Sequence, residues 1–540
     1  MSSQNTQSSE NPLSVDLEKQ STHRSLEDGE ADLEKQNTRH TYTNKQVGSE
    51  LDFKDYLRQF PVVNNPEDFI VTLNGPNDPD LALNWSLKIK LQNVAVMGCA
   101  CLWVSFGSSS FSGAVPAVMT NYHVGRTVAI LGISLYVMGF ASGPLVWAPM
   151  SEAFGRRRPM IIAVFIFSIF QIAVATAKDI QTVMICRFFC GFFGSSPVTT
   201  VAGSFSDMFS ARTRGLVIAT YAAIIFNGPL VSPIVGGFIG KSYLGWRWIS
   251  YITAIMGFFS LICMLIFHRE TYTKTITEDR AKLVRNLTGN HCLHSKSEEE
   301  PLVLSYFVHK YLTLPLRLLL LEPILLLVST YTAFVYGILY GLLEAYPVIF
   351  GEARGWSEGV MSLPYLAILI GVCIGSISVA FFQPYYFRQM EKNEGRPAPE
   401  ARLPAMMLGC IVFPIGIFWL AWTGNYPNIH WIVPTISGSF VGFGIITIFQ
   451  QSINYIVDCY MDISASAIAA NTLFRSSFGA AFPLFTTQMF NNLGIGWAGS
   501  LIGFVAVALI PFPFFLFIYG SRIRSKSKLC LKDLPLKELP

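Results

Sequence analysis

Charge is what this chain lacks. Of its 540 residues, 14% are Asp, Glu, Lys or Arg, against roughly 25% in soluble globular domains. So few charges cannot clothe a water-facing surface of this size, and most of the chain is expected to meet lipid or other helices. The ten cysteines show no CxxC pair. Cys186 and Cys190 share a helix face, and His291 and His294 have only Cys292 nearby, so no metal site or cofactor is supported and the thiols read as apolar core residues. No histidine lies deep in an apolar run, which excludes a histidine proton relay there. The net charge of +4 is small and the basic residues sit between apolar runs, so nothing points to nucleic acid. The first 60 residues are polar, aperiodic and without the apolar run of a signal sequence. They are expected to form a disordered tail that stays in the cytosol.

What is abundant is long apolar runs. Twelve segments approach the ~20 residues that a helix needs to cross ~30 Å of hydrocarbon: roughly 92–114, 127–147, 159–177, 182–205, 215–240, 248–267, 322–350, 361–384, 403–423, 431–456, 463–489 and 497–519. This predicts an all-α membrane protein of twelve transmembrane helices in two groups of six. The expected organisation is a tail (1–75), a first bundle with a juxtamembrane elbow (76–268), a polar central loop (269–320), a second bundle (321–520) and a short tail (521–540). Placing both termini in the cytosol puts Arg156, Arg157, Arg158, Arg212, Arg214, Arg388, Lys392, Arg396, Arg402 and the tail residues Arg522, Arg524, Lys526 and Lys528 on the inner side. The outer side receives only Arg126, Lys178, Lys241, Arg247 and Arg354, as the positive-inside rule requires.

An ionised side chain in mid-bilayer costs about 2.5–3.5 kcal/mol on insertion scales, so each one needs a reason. Three stand out: Arg187, Glu344 and Arg475. Glu344 is the one acidic residue well inside a predicted span, on a face shared with Tyr336 and Tyr340. Such a carboxyl can hold a proton or pair with a cation, but not both at full strength. Arg187 has Gly191 and Gly194 on its own face, so a neighbouring helix can approach and offer backbone carbonyls or a carboxylate. Polar stripes run along the first span (Ser105, Ser109, Ser112) and the tenth (Thr447, Gln450, Asn454, Asp458), and are expected to face a cavity or another helix. Asp458 falls near the cytosolic end and reads as an anchor. In the fifth span, Asn227-Gly228-Pro229 through Gly236-Gly237 can bend and pack closely. Between the second and third spans, GPLVWAPMSEAFGRRRP places Glu152, Arg156 and Arg157 at the inner rim. With Asp207 they are expected to latch the two halves together there.

Together these motifs resemble the major facilitator superfamily, and within it the fungal twelve-span drug:proton antiporters, the group of cycloheximide-resistance and polyamine exporters. GPLVWAPMSEAFGRRRP is similar to the loop 2–3 signature, though Ala153 stands where an arginine often follows the acidic residue. Arg187 with Gly191 and Gly194 is similar to the fourth-span arginine motif tied to proton coupling. Gly228, Pro229, Gly236 and Gly237 are similar to the fifth-span antiporter motif. YGILYGLLEAYPVIF around Glu344 and the stretch from Tyr455 to Phe485 resemble the fungal branch more specifically. The resemblance covers about 76–520. It implies two six-helix bundles around a cavity lined by spans one, four, seven and ten, with Ser109, Tyr336, Tyr340, Gln450 and Asn454 lining it.

The expected function is proton-coupled export of small hydrophobic or cationic compounds (drugs, xenobiotics or polyamines) by a monomer at the plasma or, alternatively, the vacuolar membrane. Glu344 and Arg187 would couple protons to substrate. A nutrient importer of the same fold is the nearest alternative, and the fifth-span pattern argues against it. A membrane enzyme would need a catalytic His or Cys-His set or a nucleotide loop, and neither occurs. A transport-inactive sensor with a signalling tail is the third alternative.

Overall fold

The computed structural model describes residues 69–299 and 313–527, except 74, 76, 289, 394, 395 and 397. The expected N-terminal tail, the end of the central loop and most of the C-terminal tail fall outside the described residues.

The first six spanning helices are α1 (Leu87–Tyr122), α2 (Arg126–Ala153), α3 (Arg157–Thr176), α4 (Ile180–Met208), α5 (Ala211–Lys241) and α6 (Arg247–Phe267). Then follow α7 (Pro323–Glu352), α8 (Tyr365–Lys392), α9 (Leu403–Gly424) and α10 (Ile432–Cys459). A last helical stretch breaks at Gly494, whose φ of 77° and ψ of 158° leave the helical region, into α11 (464–493) and α12 (495–526). The positive φ is one that glycine adopts without steric cost. Helix α4 is long enough to span, but its apolar content is diluted by Arg187 and by serines and glycines that face its neighbours. Ten stretches qualify as spans on length and apolarity. Adding α4 and dividing the last stretch gives the twelve expected from sequence.

Helices α7, α8, α9 and α11 surround α10 or one another, and α1, α2 and α3 surround α4. Helices α2 with α11, and α5 with α8, join the two halves. Lipid offers no hydrophobic drive between helices, so close fit must hold them. A Cβ at Gly371 of α8 would overlap the Ser439 carbonyl of α10, and one at Gly442 would overlap the Ile368 carbonyl. These reciprocal contacts bring the two backbones together.

Residues 69–84 and 273–299 form a separate small unit. Ile70 pairs with His294 in a parallel bridge, Phe69 and Val71 cover Val284 and Leu293, and Arg280 reaches Asp78 and Asp80 at 2.9 Å each. The sequence reading took 269–320 as a polar loop and joined the elbow to the first bundle. Instead, the amphipathic helix Thr273–Thr288 buries a narrow apolar stripe against the segment before α1.

At the end of α6, Asn93 Oδ1 accepts from the His268 ring at 3.0 Å and from the Arg269 N–H at 2.9 Å. Burial, reinforced by Arg157, lowers the His268 pKa from 6.5 to about 4. The imidazole is therefore neutral at physiological pH. Between pH 6.5 and 4 the unfolded chain binds a proton that the folded one refuses, so stability is lost as pH falls through that window. The gap corresponds to about 3 kcal/mol at ~1.4 kcal/mol per pH decade. We predict that His268→Gln lessens the fall in unfolding temperature between pH 6.5 and 4. An undiminished fall would contradict this account of His268.

Candidate functional site at the junction of the two halves

In α1, α-helical winding ends at Ser109 and a tighter turn, Ser110–Ala114, follows. Arg187 of α4, 1% exposed, anchors this transition. Its Nε donates to the Gly132 carbonyl of α2 at 2.9 Å, and its two Nη atoms donate to Gly107 and Ser108 carbonyls at 2.8 and 3.1 Å. Its guanidinium also lies over the Tyr136 and Phe111 rings, at 4.4 and 4.9 Å. Of the two partners expected from sequence, carbonyls or a carboxylate, the structure supplies carbonyls. Hydrogen bonds to a charged group are worth about 1.5–3 kcal/mol each, so three of them and two rings offset the cost of burying the cation.

The fifth-span motif faces α1. Pro233 has no N–H, so the Pro229 carbonyl, four residues earlier, lacks its helical donor. Ser109 Oγ donates to that carbonyl at 2.8 Å and also bonds Ser232. A Cβ at Gly228 would lie 2.7 Å from the Ser105 side chain, and one at Gly236 would lie 2.7 Å from the Ser110 carbonyl. Gly237 instead faces the other half, where a Cβ would lie 2.7 Å from the Glu358 carbonyl. Ser109, expected to line the cavity, thus serves the α1–α5 contact, because the missing proline N–H creates a stronger demand for its hydroxyl.

Glu344 of α7 is 2% exposed. It accepts from Thr487 Oγ1 of α11 at 3.1 Å and from Arg126 Nη2 of α2 at 3.3 Å. The other Nη of Arg126 reaches Glu352 at 2.7 Å. Past Pro347, α7 is wound more widely over Pro347–Glu352, and both carboxylates come within reach of one guanidinium. Arg126 is the first residue of α2, where the helix dipole disfavours a cation by about 0.3–1 kcal/mol. Its carboxylate partners supply the compensation. The same end of the bundle carries a bond from Gln488 to Thr127 at 3.4 Å and the contact of Gly237 with Glu358. The sequence reading counted Arg126 only as an outer-side charge and missed it as the partner of Glu344. The two lie 218 residues apart, and no local pattern links them.

One face of α7 carries the rest. The Tyr340 hydroxyl donates to Ser108 Oγ at 2.9 Å, next to the carbonyl that Arg187 holds. The Tyr336 ring lies 5.1 Å from Tyr340 and 6.2 Å from Phe449, and Phe449 meets Phe226 of α5 at 4.5 Å. On α10, Gln450 is 2% exposed with neither amide atom bonded, and Asn454 is buried nearby on the same stripe. Thr447 turns away, since a Cβ at Gly409 of α9 would overlap its hydroxyl. Asp458 pairs with Arg402 at 2.9 Å, as an anchor at the helix end.

The opposite rim differs from the expected latch between halves. Arg156 pairs with Asp207 at 3.3 Å and donates to Ser151 at 2.9 Å. The Arg156 and Arg157 N–H groups donate to the two Glu270 oxygens at 2.8 and 2.9 Å, and Glu152 is half-buried on the same rim. These described bonds all join elements of the first six helices. Gly155, with φ of 85°, makes the turn that aims both N–H groups at Glu270, a residue the motif did not include. Arg402–Asp458 and Arg524–Glu400, at 3.1 Å, do the same within the second half.

The fold is a bundle of apolar helices whose two halves are joined through α2–α11 and α5–α8. The chain belongs to the Major Facilitator Superfamily, whose sequence profile matches residues 97–483. It is similar to a Schizosaccharomyces pombe protein called an uncharacterized MFS-type transporter, 74% identical over 99% of this chain and 100% of that protein. It is also similar to the major facilitator superfamily multidrug transporter FLU1 of Candida albicans, 46% identical over 87% of this chain and 77% of the other. The multidrug transporter TPO1_1 of Candida glabrata is 44% identical over 87% of this chain and 82% of its own length.

The Arg187 clamp is directly testable. A lysine keeps the charge but has one nitrogen in place of the three that reach these carbonyls, and each carbonyl left unpaired costs ~1–3 kcal/mol. Arg187→Lys should lower the unfolding temperature of the purified protein by several degrees. Unchanged unfolding would contradict the clamp.

Proposed function

We propose that the protein is a proton-coupled antiporter that exports small amphiphilic compounds by alternating access. The observation that carries this reading is Glu344, which is buried at the junction and held by Arg126 from the other half. The pair needs an ionised carboxylate. Proton loss from Glu344 and closure of this end of the bundle therefore favour one another, and so do proton gain and opening. Arg126 keeps Glu352 in either case, so it stays close to its partners and can re-form the pair. The sign of the loop charges assigns this end to the outside and both termini to the cytosol. A proton taken up from outside in the open state would be released as the outer end closes, which is the direction an exporter needs.

One part of the expectation is revised in this reading. Glu344 is occupied by a guanidinium here, so it serves as a gate that responds to protons more readily than as a resting site for a cationic substrate. Arg187 would act indirectly, by fixing the α1 turn that Tyr340 touches. Export of drugs fits the printed names of the Candida relatives. Each charge moved across the membrane is worth about 2.3 kcal/mol per 100 mV, so one proton can drive substantial accumulation. The plasma membrane is the proposed site and a monomer the proposed working form.

Glu344→Gln, assayed in proteoliposomes with a pH gradient, should lower gradient-driven efflux at least tenfold while protein abundance stays near wild type. Efflux at the wild-type rate would reject the coupling role of Glu344.

A further inference from the structure

Arg475 sits near the middle of α11, on the face toward α7 and α10. It is 9% exposed, and its guanidinium carbon lies 4.7 Å from the Tyr336 and Phe449 ring centroids. The two rings lie against the guanidinium, whose N–H groups are those that a carboxylate ordinarily meets. Nε has no hydrogen bond, and among the described residues no carboxylate pairs with Arg475. Glu344 cannot serve. It stands eight residues beyond Tyr336 on α7, ~12 Å of helical rise, and is already bound by Arg126 and Thr487. Thr487 is itself twelve residues beyond Arg475, ~18 Å along α11.

Arg475 lies over Tyr336, and Tyr340 donates to Ser108, whose carbonyl Arg187 holds, so the tyrosine pair is flanked by two guanidinium groups. Arg187 donates to three backbone carbonyls, which leave its charge in place. The region is thus apolar, aromatic and positive. Tyr336 is only partly buried.

We propose that Arg475, Tyr336 and Phe449 form a subsite for the anionic group of an amphiphilic organic carboxylate, whose apolar body lies among the surrounding rings. The inference rests on the transporter reading above and names the substrate class of its central site. The carboxylate supplies the countercharge that the described residues leave out and accepts from the guanidinium N–H groups. A cation of the same shape meets two like charges with no acid between them. This replaces the cationic substrate expected from sequence, which relied on a free Glu344.

The test uses the purified full-length protein and two radiolabelled probes that share a ring system, 1-naphthoate and 1-naphthylmethylamine, in equilibrium binding. Wild type should bind naphthoate at least tenfold more tightly than the amine. Arg475→Gln should weaken naphthoate binding at least tenfold, and Arg475→Lys should keep the anion preference with a smaller loss. Unfolding temperature reports whether each variant is folded. If Arg475→Gln folds poorly, the wild-type and lysine proteins decide the matter through competition between the two probes. Naphthoate affinity unchanged in a folded Arg475→Gln protein, or a wild type that prefers the amine, would overturn the subsite. Binding that depends on Arg475 without any pH-driven efflux would leave the subsite standing and overturn the antiport reading.

Discussion

The arrangement turns on one guanidinium. Arg126 of α2 is shared between Glu344 and Glu352 of α7, and it ties the first six helices to the last six at one end of the bundle. Of its two carboxylates, Glu352 is half-exposed and Glu344 is buried. In the proposed gate, protonating Glu344 would remove one attraction and leave the other, so the tie would loosen without being lost. A gate of this kind requires a strength near balance, because a pair buried on all sides would be too costly to break and an exposed one would hold little.

The remaining structure keeps that tie aligned. The proline pair of α5 frees a carbonyl that the Ser109 hydroxyl of α1 reaches, and Arg187 fixes the carbonyls of the two residues before it on the same helix. Through Ser108, that segment touches Tyr340, one turn from Glu344. This contact links α1 to the face of α7 that carries Glu344. At the far rim the described pairs Arg156–Asp207, Arg402–Asp458 and Arg524–Glu400 each lie within one half.

Much of this could be read from sequence, for identifiable reasons. The twelve spans follow from hydropathy because lipid forbids unsatisfied backbone at membrane depth, and the same rule singled out Arg187, Glu344 and Arg475. The partners of these residues were less accessible. Arg126 stands at a helix start and shows no pattern of its own, and Glu270 lies outside the motif it completes. Ser109 was placed by the polarity of its stripe, whereas its direction depends on an N–H missing from another helix. The central loop was judged by its overall polarity, which concealed the narrow apolar stripe of Thr273–Thr288. In each case the residue type was informative and the long-range partner was not.

Spin labels at Val128→Cys on α2 and Leu493→Cys on α11, introduced after replacement of the reactive native thiols, report the separation of the two halves at this end. The account predicts a short label distance for the wild type at pH 8. It predicts a population lengthened by several ångströms at acid pH, and the same population at pH 8 in Glu344→Gln. Distances that coincide in all three conditions would contradict a gate controlled by the protonation of Glu344.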